Sequence, residues 1–154
     1  MAWSTSATFS ITWLSGMGGT AFNLSSDSFK AALYNNSITP SNSVSTATLS
    51  TYNGSGSQFL TANEVYQGAG TWPQGGEALS SVTWTQSTNV NTFTAGNTAS
   101  GAATTLASVY GTLVYDTTQA SRGLCFNYFG GSNSVTSGVF TIVWNASGIA
   151  SITC

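Results

Sequence analysis

Short runs of β-branched and aromatic residues recur along the chain, and each is cut off by a cluster of Gly, Asn or Ser. Strands of roughly four to eight residues bounded by such clusters are the signature of an all-β chain. The pattern constrains the fold more than any other feature. Residues 28–34 alternate, with Phe29, Ala31 and Leu33 on one face, and stop at Asn35-Asn36, a good turn signal. Residues 78–85 read as a second strand, with Val82 and Trp84 sharing a face, and residues 90–94 as a third. The last third is denser. Leu106 to Val109 leads into residues 111–115. A hairpin connection follows at residues 116–122, then a strand over residues 122–129 closed by Gly130-Gly131-Ser132-Asn133. Residues 140–144 are apolar at most positions, as in a strand covered on both faces, and a final run spans residues 148–154.

Turn signals about every 8–12 residues imply seven to nine short strands in a sandwich or partly closed barrel. The expected fold is a single-domain antiparallel β-sandwich, jelly-roll-like or Greek-key, over residues 20–154. Residues 1–19 precede it as an N-terminal arm or an edge strand. Helix signals are thin: Phe9 to Leu14 is the best candidate, and its β-branched content suits an extended segment equally well. Residues 40–66, rich in Ser, Thr, Asn and Gly, read as a long surface loop.

Composition then narrows function. Of 154 residues only six are charged: Asp27, Lys30, Glu64, Glu77, Asp116 and Arg122. Ordinary domains are about a quarter charged. A surface of hydroxyls and amides meets another surface without the desolvation cost that charges impose, and charge is depleted at interface cores. A subunit that lives bound is therefore favoured over a free domain. Two basic residues are too few for phosphate contacts, which argues against nucleic acid as a partner. An anionic membrane surface is disfavoured for the same reason. No apolar stretch approaches a membrane span. The first residues lack a basic, then apolar, leader pattern, so synthesis in a cytoplasm is expected.

Candidate chemistry is sparse. The sequence contains no histidine, which removes the usual Ser–His and Cys–His nucleophile pairs and the commonest metal ligand. Cys125 and Cys154 lack zinc-site spacing; Cys125 lies in an apolar run and reads as a buried small hydrophobe. No catalytic residue, metal or cofactor is expected. Glu64 and Glu77 flank a Gly-rich segment holding Tyr66 and Trp72, which could be a two-carboxylate sugar site or a rigid loop whose aromatics pack down. The loop reading is favoured, because one Arg and one Lys leave little else to orient a substrate. Asp116 and Arg122 bracket the hairpin connection, either as a local ion pair or as a contact to a neighbouring subunit.

Several stretches, taken in order and spacing, resemble a family of small virion structural proteins of tailed bacteriophages. They are Phe29-Lys30-Ala31-Ala32-Leu33-Tyr34-Asn35-Asn36, then Asn63-Glu64-Val65 leading to Gly75-Gly76. Next come Gly111-Thr112-Leu113-Val114-Tyr115-Asp116, Arg122-Gly123 through Phe129-Gly130-Gly131, and Gly138-Val139-Phe140-Thr141-Ile142-Val143-Trp144. The resemblance covers about residues 20–152. It implies a head decoration or minor tail protein without catalytic residues. The first expectation is a capsid decoration (cement) protein on the virion surface, a homotrimer bound to the major capsid protein; a tail protein is the alternative. A reading of another class is a secreted carbohydrate-binding β-sandwich. Residues expected to face a partner are Trp3, Phe9, Ile11 and Trp13, which fall mostly on one side of an extended chain, together with Tyr66 and Trp72.

Overall fold

The computed structural model describes residues 3–18 and 23–153. Within them lie ten strands, all paired antiparallel: β1 (Ala7–Thr8), β2 (Phe29–Tyr34), β3 (Glu77–Ala78), β4 (Thr83–Ser87), β5 (Val90–Thr94), β6 (Thr98–Ala99), β7 (Thr104–Asp116), β8 (Arg122–Gly138), β9 (Thr141–Ile142) and β10 (Ala150–Thr153). A five-stranded sheet runs β1-β8-β7-β2-β3, a three-stranded sheet β10-β5-β4, and β6 pairs with β9. The architecture is all-β and sandwich-like.

The large sheet is covered on both faces, which explains why β2 is apolar at nearly every position. Ala32 and Tyr34 of β2, with Leu113, Tyr115 and Phe126, face a layer formed by Trp3, Phe9, Ile38 and Phe59. Phe29 faces the other way, onto the three-stranded sheet, where its ring meets Phe93 edge-on at 4.9 Å. Ala31 and Leu33 share that second face and pack with Trp72, Leu106, Val109 and Ile142. The alternation read from residues 28–34 is therefore kept, with apolar partners on each side.

Four expectations change. Residues 10–17 form a helix, α1 (Ser10–Met17), so of the two readings open for Phe9 to Leu14 the helical one holds and the extended arm does not. No side chain caps it; tertiary contacts hold it, with Thr12 buried and its hydroxyl donating to the Gly123 carbonyl at 2.5 Å. The odd-numbered side chains therefore do not line one face of an extended arm.

Residues 78–85 are not one strand. Ala78 ends β3 in the large sheet, and the chain changes sheets before Thr83 opens β4. Nor do Gly130-Gly131 close β8. Tyr128 opposes Gly111 and Asn133 opposes Val109, so β8 advances five residues (133 − 128) while β7 advances two (111 − 109). The three extra residues form a bulge, for which Gly130 supplies a φ of +80°. Finally, residues 140–144 contribute only the two-residue β9, and Val143 points outward, 72% exposed.

The loop of residues 40–66 is also less free than its composition suggests. It contains two short 3-10 turns, Ala47–Ser50 and Thr61–Asn63, and buries Phe59 completely. The Asn53 amide donates to the Phe59 carbonyl at 2.9 Å, and Tyr34 Oη donates to that carbonyl at 3.0 Å.

Candidate functional site

The two carboxylates of the two-carboxylate sugar-site reading, Glu64 and Glu77, are not brought together. Glu64 opposes Tyr34 and Glu77 opposes Ala31, on the same edge of β2. Positions 31 and 34 are three apart, about 10 Å along a strand at ~3.3 Å per residue, and an odd spacing directs them to opposite faces. Glu64 is buried, and both its oxygens are occupied: Oε1 accepts the Gly75 amide at 2.6 Å and Oε2 accepts the Tyr52 hydroxyl at 2.8 Å. Burial pushes the Glu64 carboxyl above the usual range, against the pull of these two bonds and of Lys30.

This carboxylate works as a latch on the Gly-rich loop. Gly75 and Gly76 have φ of +85° and +80°, and a Cβ on Gly76 would sit 1.9 Å from the Ala31 carbonyl oxygen. Only a glycine pair lets the loop press onto β2 while its amide reaches Glu64. Tyr115 closes the arrangement by donating to the Gly75 carbonyl at 2.7 Å and stacking on Tyr52 at 4.8 Å. Burial, then the Glu64 charge, raises the Tyr115 hydroxyl; burial and the Glu64 bond raise that of Tyr52.

The hairpin pair, Asp116 and Arg122, occupies facing positions of β7 and β8 but forms no ion pair. Asp116 Oδ1 accepts the amides of Thr118 and Gln119 at 2.7 and 3.1 Å. Its Oδ2 and the Arg122 Nη1 are both buried without a hydrogen-bond partner. The local ion-pair reading is corrected: the carboxylate serves the turn instead.

The six residues expected to meet a partner divide. Trp3, Phe9 and Trp72 are buried in the protein's own core, so their side chains are not offered to a partner. For Trp3 and Phe9, glycines opposite are the reason. A Cβ on Gly111 would lie 2.5 Å from the Trp3 ring, and one on Gly123 would lie 2.8 Å from the Phe9 ring. Trp3 is further tied by its indole N–H donating to the Asn35 carbonyl at 2.9 Å. Trp72 lies beneath Phe140, edge-on at 5.8 Å. Ile11 and Trp13 are half-buried on α1, with Trp13 stacked on Trp84. Tyr66 alone is exposed.

The uncovered apolar surface lies elsewhere. β2 accompanies β7 only along residues 111–116, and β1 accompanies β8 only at Phe126 and Cys125. Beyond those points, among the described residues, β7 and β8 continue with no third strand of their sheet alongside. Ser132, Ser134, Thr136 and Ser137 are exposed there. Natural edges are blunted by charge, proline or bulges. No charged residue or proline follows Gly123, so only bulges protect this edge: the one at Gly130-Gly131 and smaller register shifts nearer Val135 and Gly138.

Beside it lies a cleft of about 250 Å³ floored by Ile142 and walled by Phe129, Phe140 and Val143, with Asn133 and Thr141 as its polar members. Phe129 and Phe140 lie 6.5 Å apart, both half-buried, and Val139 next to them is 53% exposed. Such a cleft is smaller than the ~300–1,000 Å³ of small-molecule pockets. It can receive an apolar side chain.

Sequence reasoning missed this surface because it assigned Phe129 to the end of a strand and residues 140–144 to the interior. The absence of any charge after Gly123 was the available signal. No protein-family profile, curated protein or solved structure matches this chain. Among the described residues no helix is long and apolar enough to cross a membrane, and no group of three or more His, Cys, Asp or Glu could hold a metal.

Proposed function

We propose that this chain is a structural subunit of a tailed-bacteriophage virion, a decoration protein that seats on the outside of the major capsid lattice as a homotrimer. The observation that carries the reading is the bare, uncharged edge of β8 beside the cleft of Phe129 and Phe140. An exposed strand edge supplies main-chain hydrogen bonds to a neighbour, and an adjacent apolar cleft takes an anchoring side chain. Six charges on 154 residues leave little electrostatic repulsion against such contact. The stretches that resemble the virion family support the reading in a second way. They include the Glu64–Gly75–Gly76 latch, the Gly111 and Gly123 hollows, and the β8 bulge, which are fold-determining positions.

The mechanism is interface burial. A subunit that binds only the assembled shell stabilises that state by mass action, without chemistry. The test is to add purified protein to shells that lack it and image the particles. Density on the outer surface at local three-fold positions is the expected result. Density on the tail replaces decoration with the tail reading. Absence from particles, together with binding on a glycan array, overturns the virion reading in favour of a carbohydrate-binding module.

A further inference from the structure

A second opening lies at the side of the sandwich, away from the Phe129–Phe140 cleft. β1 is a terminal strand of the large sheet and β10 a terminal strand of the three-stranded sheet. One cleft of about 390 Å³ is lined from both: Ser6 and Thr8 on one side, Ser147 and Ser151 on the other, with Cys125 and Asn127 also contributing to its lining.

We propose that this cleft accepts one extended, uncharged peptide segment of a partner chain, added as a strand between β1 and β10. The chemistry of the walls selects that occupant. No charged residue lines the cleft, so a charged segment would be desolvated there without compensation. No aromatic residue lines it either, so a sugar has no ring to stack on. Small-molecule sites are mostly apolar with a few placed polar groups; here hydroxyls, amides and main chain predominate. What such walls match is another main chain, whose N–H and C=O groups pair with a strand edge.

Two details fit an incomplete sheet. β1 pairs through only two residues. Directly beyond it, the Ser6 hydroxyl oxygen accepts the Tyr128 amide at 2.9 Å, where a longer strand would present a carbonyl. The occupant's side chains must be small or β-branched, because the lining is Ser, Thr, Ala, Asn and Gly with a buried thiol and one Ile. Burial pushes the Cys125 thiol up to about 12, so this is a packing group and not a nucleophile.

The experiment uses the isolated full chain, so it stands whether or not the virion reading does. Isotope-labelled protein is titrated with an end-blocked peptide of alternating Thr and Val, following backbone amide shifts. A peptide with Pro at alternate positions, which cannot complete a ladder, and a linear glucose oligosaccharide are the controls. Saturable shifts at residues 6–8 and 150–152, seen only with the Thr-Val peptide, are expected. Ser147→Trp and Ser151→Trp, both at exposed positions, should each weaken that binding by about tenfold with the melting temperature unchanged. No saturable shift, equal shifts from the Pro peptide, or shifts from the oligosaccharide alone would each overturn the proposal. Should one Trp variant fail to fold, the other and the unmodified titration still decide it.

Discussion

Residues 3–14 and residues 129–143 are both uncharged and both rich in large apolar side chains, yet they meet opposite fates. The first segment is consumed internally over most of its length: Trp3 and Phe9 are buried against the large sheet and α1 is pinned to β8 by Thr12, with Leu14 at its end left 66% exposed. The second leaves Val139 and Val143 exposed and Phe129 and Phe140 half-covered around an open cleft. Hydrophobicity does not separate the two. What separates them is the surface opposite. Gly111 and Gly123 leave hollows into which the Trp3 and Phe9 rings fit, whereas residues 129–143, with the bulge of β8 and the two-residue β9, bury Ile142 but leave Phe129 and Phe140 only partly covered. An aromatic segment becomes core where glycines make room for it.

The largest effect expected from this contrast is on stability. Phe9→Ala removes a fully buried ring that touches Phe59 at 5.8 Å and Phe126 at 5.5 Å. A loss of about 3–5 kcal/mol is expected, which denaturant unfolding of the free protein would measure. A loss below about 1 kcal/mol would mean that the N-terminal segment is not core, and the comparison would fail.

The same contrast marks what the sequence could reveal. β2 was legible because its alternation is clean and Asn35-Asn36 ends it, and β5 because it is a compact β-branched run. The Asp116–Arg122 hairpin was legible from its polar connection. Helix α1 was legible only as one of two open readings, since Ser10–Met17 lacks a capping side chain and relies on the Gly123 carbonyl, a long-range partner. Gly130-Gly131 misled because a bulge and a turn both want positive φ, and only the pairing of Asn133 with Val109 distinguishes them. The relation between Glu64 and Glu77 depends on strand register, which no local pattern encodes.

A smaller effect concerns pH, and it should separate folding from association. Burial pushes the Asp116 carboxyl from 3.8 up to about 6; the neighbouring Asp27 carboxyl adds to the rise, while the Thr118 and Gln119 amides oppose it. Between about pH 4 and 6 the folded chain then holds a proton that the unfolded chain has released. Stability falls as pH rises through that window and levels off above it. Asp116→Asn keeps an acceptor for the two amides and should reduce the slope in thermal melts across pH 4–8, leaving the part that the raised Glu64 carboxyl contributes. Residues 129–143 carry no titratable group of Asp, Glu, Lys, Arg or His type. Association through them should therefore change little over the same range once the protein is folded. A steep pH dependence of association in the Asp116→Asn protein would tie the contact to another surface.

The smallest expected change in the free protein is the one that bears most directly on the open cleft. Val143 is 72% exposed, so Val143→Ser removes little buried area, and exposed substitutions of this kind usually stay within about ±0.5 kcal/mol. Its place on the cleft wall gives it a different weight in a complex, where burying a Val side chain is worth roughly 1.5 kcal/mol or more. Val143→Ser should leave unfolding midpoints nearly unchanged while lowering occupancy on particles, or self-association by light scattering, by about tenfold. Phe9→Ala measured in parallel should behave in the opposite sense, unfolding early but binding normally under conditions where it remains folded. If Val143→Ser destabilises the free chain as strongly as Phe9→Ala, residues 129–143 are core after all. If it changes neither quantity, the cleft is not where the subunit meets its neighbour.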